Sequence, residues 1–117
     1  MNPNSLVPII EAEMVAYREA RRRENAPAAW RALERAHILS QARLRPHLRV
    51  HANMFGYAVN QRDLREATGQ LVRLLLAPLG ALTGRLPWGN TGRANVNVFL
   101  PMPLPEDLRD QVEASRF

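Results

Sequence analysis

The chain has 117 residues, 46% of them hydrophobic and 23% charged, with no cysteine, which is the size and composition of one compact domain. All 16 basic residues are arginine and none is lysine, so against 11 acids the net charge is +5. Lysine Schiff-base chemistry, a P-loop lysine, disulfides and thiolate metal sites are thereby excluded.

The opening MNPNSLVPII carries no arginine before Arg18 and makes a poor secretory signal. The longest apolar stretch, Leu74 to Leu82, is broken by Pro78 and Gly80 and falls short of the roughly 20 residues that span a bilayer. A cytoplasmic protein without a membrane segment is the expectation.

Asn4 or Ser5 can cap a first helix, with Leu6, Ile9, Ile10, Met14 and Tyr17 along one face, ending near Asn25. Pro27 restarts the chain, and Trp30, Leu33, Ala36, His37 and Leu39 continue the helical period to about Arg43. A third helix runs from Pro46 to about Asn60 through Leu48, Val50, His51, Met54, Phe55 and Ala58, with Gly56 its weakest point. Asn60 or Asp63 starts the fourth, whose apolar face is Leu64, Ala67, Leu71, Leu74 and Leu75 and which should end before Pro78. Short connections favour antiparallel neighbours, so residues 1–77 read as an all-α, antiparallel four-helix bundle.

Residues 78–117 read as an irregular glycine- and proline-rich C-terminal arm packed on the bundle as part of the same domain. Gly80, Gly84, Gly89 and Gly92 lie among Pro87, Asn90 and Thr91, which punctuate regular structure. Val96, Val98 and Leu100 alternate as in a short extended piece, and Pro101, Pro103 and Pro105 stiffen the segment after it. A short last helix should begin at Glu106 and Asp107 and reach about Ala114, and the arm should fold back on the bundle so that Met102 and Leu104 are buried.

The chemistry sits in a polar cluster. Glu34 and His37, three apart, share one face of the second helix, and His47 and His51, four apart, share one face of the third. An antiparallel turn near residue 44 sets His37 level with His51; turns near 60 and 25 bring Gln70 and Glu13 to that level, with Glu66 one turn away. Carboxylate and imidazole suit iron, zinc, manganese or copper. Carboxylate-bridged di-iron bundles use Glu-x-x-His on two helices, and Leu48 stands where the second glutamate belongs, so a single ion is expected rather than a pair. His47, beside Pro46 and close to the turn, is expected at the surface.

Between Arg18 and Arg49 nine arginines face three acids. Without a recognised motif or an aromatic stacking platform, these read as solvated helix faces before they read as a nucleic-acid surface. Gly84 to Arg93 has the composition of an anion-binding nest but not the spacing of a phosphate loop, and a turn packed by Trp88 is the expectation.

Arg35-Ala36-His37-Ile38-Leu39-Ser40-Gln41, then His47, His51, Gly69-Gln70 and Gly89-Asn90-Thr91-Gly92-Arg93, resemble a bacterial family known only as a domain of unknown function, across nearly the whole chain. The resemblance implies a bacterial cytoplasmic origin, no established activity, and interest in His37, His51, Gln70 and the Gly89–Arg93 loop. Two readings of the cluster stand. In the first the bundle binds one transition-metal ion through His37, His51, Glu34 and Glu66, with Glu13 and Gln70 as ligands or supporting partners. In the second it is a non-catalytic interaction module, such as a homodimer, whose polar cluster is structural. No nucleophilic enzyme is indicated.

Overall fold

The computed structural model describes residues 6–41, 43–83, 92–93 and 104–115, with side chains placed outside 77–83 and 114–115. Among these the fold is all-helical: α1 (Val7–Arg22), α2 (Ala26–Ser40), α3 (Leu44–Asn60), α4 (Leu64–Thr83) and α5 (Glu106–Ser115). Helix α1 packs on α2, α2 on α3 and α3 on α4. None of the described helices is long and apolar enough to cross a membrane.

Two of the connections are built alike. After α1, Glu24 takes a left-handed φ of 57°, and after α3, Arg62 takes 58°. Each closes its helix by the same pair of backbone bonds, Asn25 N–H to Ala20 O with Glu24 N–H to Arg21 O, and Asp63 N–H to Ala58 O with Arg62 N–H to Val59 O. The next residue in each case caps the succeeding helix: Asn25 Oδ1 accepts from Ala28 N–H and Asp63 Oδ1 from Glu66 N–H. Neither turn has a glycine, which hides their common geometry from a repeat search.

The core gathers Ile10, Met14 and Tyr17 of α1, Leu33 and Leu39 of α2, Val50, Met54 and Tyr57 of α3, and Leu108 and Val112 of α5. Tyr57 is central to it, meeting Tyr17 edge-on at 5.6 Å and Trp30 at 5.3 Å. Leu104 is half-buried against this core, as expected, and α5 is tied further by Arg35, which donates to both Glu13 and Asp107.

Three expectations change. Helix α4 passes Pro78 and runs to Thr83; the lost N–H costs about 3 kcal/mol, and leucine and alanine on both sides favour continuing the helix. Helix α3 begins at Leu44, which puts Pro46 inside the first turn, where its missing N–H has no helical partner to lose. On α4 three of the expected leucines lie outside: Leu64, Leu71 and Leu75 are exposed and Leu74 is half-buried, while Glu66, Gln70 and Arg73 join the expected Ala67 on the buried face. The expected cap at Asn4 or Ser5, the extended piece at 96–100, Met102, and Trp88 with residues 84–91 lie outside the described residues.

Gly56 is exposed within α3, and a Cβ there meets nothing within 4 Å. Gly56→Ala should therefore raise stability by about 0.5–1 kcal/mol through helix propensity alone, read as a higher denaturant midpoint with an unchanged slope.

Candidate metal centre

The chain has three histidines, and all three meet at one point. His37 comes from the last turn of α2, and His47 and His51 from successive turns of α3. Each is 2–3% exposed. His47 Nε2 lies 3.0 Å from His37 Nε2 and 3.0 Å from His51 Nε2, and the ring centroids are 4.7–4.8 Å apart. This corrects the surface position expected for His47. With α3 starting at Leu44, His47 sits one turn before His51 on the buried face instead of at a frayed end. The four-residue spacing is the signal in the sequence, and the proline beside it misleads.

The hydrogen bonds around His51 determine its tautomer. Gln70, fully buried on α4, donates both amide hydrogens, one to Glu66 Oε2 at 2.9 Å and one to Gly92 O at 2.7 Å. Its Oε1 is thus the atom facing His51 Nδ1 at 2.7 Å, and Nδ1–H is the donor. In the neutral ring the lone pair then lies on Nε2, directed at the other two histidines.

Burial holds His47 and His51 neutral. Burial pushes His47 from the usual 6.5 down to about 3, helped by the neighbouring His51. Burial also lowers His51, against the opposing effects of Gln70 and Glu66. Three neutral imidazoles cannot satisfy two such contacts well. One hydrogen on His47 Nε2 can serve both neighbours only as a bent, shared bond, and otherwise two lone pairs face each other at 3.0 Å. His47 Nδ1 is buried with no hydrogen-bond partner among the described residues.

Around the imidazoles the acids are matched to arginines. Glu66 takes Arg93 Nε at 2.5 Å, Glu34 lies 3.6 Å from Arg93, and the Arg93 guanidinium stacks 3.7 Å over Trp30. Burial raises Glu34, against the pull of Arg93. Glu13 pairs with Arg35 at 2.8 Å. Of the residues singled out from sequence, His37 and His51 are therefore in direct assembly, Gln70 and Glu66 follow His51 in one hydrogen-bond chain, and Glu34 joins through Arg93. Glu13 is engaged elsewhere. Among the described residues no carboxylate belongs to the group of donors that lie within 4.8 Å of one another.

Gly92 closes the site. Its φ of +81° favours glycine, and a Cβ there would stand 2.6 Å from His37 Cδ2 and 2.8 Å from His37 Nε2.

Over residues 4–112 the chain matches the family described as Protein of unknown function (DUF3703). The chain belongs to that family. No curated protein and no solved structure matches it. The DUF3703 match spans α1 to α4 and most of α5, so it includes every residue of the histidine cluster and its supporting chain.

Two outcomes are expected of this DUF3703 chain. Gly92→Ala should lower stability by about 1–3 kcal/mol, opposite in sign to Gly56→Ala, and should shift the His37 ring resonances in an NMR spectrum. For pH, folded His47 titrates near 3 and the unfolded residue near 6.5, so between these values the unfolded state binds more protons. Stability is intact above 6.5 and falls with pH, by about 2 kcal/mol from His47 alone between about pH 7.5 and about pH 5. Denaturant unfolding in chelated buffer at the two pH values measures it; equal midpoints would contradict a buried neutral cluster.

Proposed function

We propose that this protein binds one transition-metal ion through the Nε2 atoms of His37, His47 and His51. The observation that carries the reading is the convergence of all three histidines in a buried cluster, with His51 fixed in the tautomer that a ligand needs. A cation accepts three lone pairs at once and removes the conflict between them. Imidazole ligands bound to metal usually donate the other ring hydrogen to an acceptor that sets their orientation, and Gln70 does this for His51. Glu66 holds Gln70 in turn. Metal–nitrogen bonds of about 2.0–2.1 Å at tetrahedral angles place donors about 3.4 Å apart, so the two 3.0 Å contacts of His47 need lengthen by only about 0.4 Å to accept an ion.

In this reading Glu66 and Gln70 support the ligands, and Glu34 and Glu13 stay with their arginines. We also read α1 to α4 as an antiparallel four-helix bundle, on the strength of their sequential packing and two matched tight turns. Such a bundle can present ligands from facing helices at one level. A purely structural cluster is less well supported, because buried polar groups kept for packing are normally satisfied, and the two 3.0 Å contacts of His47 Nε2 cannot both be good hydrogen bonds.

Elemental analysis of untagged protein should find about one equivalent of a transition metal. His47→Ala and His51→Ala should each lose it while keeping the helical circular dichroism. Chelator should lower the melting temperature of the loaded protein, because an ion held at a hundred times its Kd adds about 2.7 kcal/mol. Metal content unchanged in both variants would overturn the assignment.

A further inference from the structure

We infer that the ion is monovalent copper, Cu(I), held three-coordinate by His37, His47 and His51. This rests on the metal-binding reading above and concerns the charge of the ion. Three imidazole ligands are neutral when bound, so the ion keeps its full charge inside an enclosed site. The energy of enclosing an ion grows with the square of that charge, which makes a divalent ion about four times as costly as a monovalent one of similar size.

The acids near the site are matched by arginines, which leaves little net negative charge to offset the difference. All 11 aspartate and glutamate side chains lie within the described residues, and residues 84–91 and 94–103 contain no histidine, cysteine, aspartate or glutamate. Of the nearby acids, Glu66 is occupied by Gln70 and Arg93, Glu34 by Arg93 and Glu13 by Arg35. One turn beyond Gln70, the buried Arg73 adds a further positive charge to the same face of α4.

Coordination number points the same way. Zinc seeks a fourth ligand, which a three-histidine site leaves to water or substrate. Here Gly92 packs against His37 so closely that a single methyl group would stand 2.8 Å from its Nε2. A closed-shell Cu(I) ion is content with three ligands, and imidazole is among the donors that copper accepts.

The test uses untagged full-length protein under anaerobic conditions. It is mixed with one equivalent each of Cu(I) and Zn(II), freed of unbound ions by gel filtration and assayed for both. Retention of copper at about one equivalent, with at least about a tenfold excess over zinc, and an X-ray absorption spectrum with three nitrogen neighbours are expected. Zinc retained in place of copper, or a shell of four or more light donors, would overturn the Cu(I) inference and leave the metal site standing. If neither ion is retained, the metal-binding reading fails with it.

Discussion

Holding His47 Nε2 at 3.0 Å from two other ring nitrogens is the demand that the rest of this structure answers. The contacts require three rings excluded from water, one tautomer imposed on His51, and helix ends placed so that α2 and α3 deliver them to one level. Helix α4 turns its polar side inward to supply Gln70. It leaves Leu64, Leu71 and Leu75 outside in doing so, the reverse of what hydrophobic burial alone would choose. Gly92 fills the remaining space with backbone, since no side chain fits beside His37.

Arginine makes this arrangement possible. Two guanidinium groups act as crossties: Arg35 joins Glu13 on α1 and Asp107 on α5, and Arg93 joins Glu66 and Glu34 while sitting over the Trp30 ring. A planar fork suits both tasks, binding one carboxylate edge-on while stacking on a ring, which an ammonium group cannot do. These pairs hold the buried acids beside the histidines without lending them to an ion. Other pairs, such as Arg22 and Arg23 with Glu19, are exposed and contribute little.

The first four helices are legible in the sequence because each carries apolar residues at spacings of three and four, and because Pro27 and Asp63 mark starts. The level-matching that sets His37 beside His51 and Gln70 comes from turn positions, which short loops define well. Tertiary context governs the features that escape such reading. Pro46 and Pro78 are helix breakers by local rule, yet one falls in a first turn and the other in a strongly helix-forming run, so neither marks a boundary. Pro46 in turn makes His47 look like a surface residue. Counting leucines points to the wrong inner face of α4 because it assumes that apolar burial sets rotation, whereas the partners of Gln70 and Glu66 set it here. Arg93 and Gly92, distant in sequence from the histidines, join them through chain geometry that periodicity does not encode.

Departures from ordinary folding rules are concentrated around one point. Glycine at positive φ against a ring, a buried arginine and three buried imidazoles in contact all belong to α4, the end of α2, the start of α3 and residues 92–93. Elsewhere the described chain is orthodox: Asn and Asp caps, tight αL turns, aromatic edge contacts and arginine on solvated faces. A polar network kept only to specify packing would relax toward satisfaction, since each unmet group lowers stability and nothing offsets the loss. Sites that bind retain such penalties because the bound state offsets them. On the proposed reading the histidine cluster is of the second kind, its opposed Nε2 lone pairs being what a bound cation would relieve.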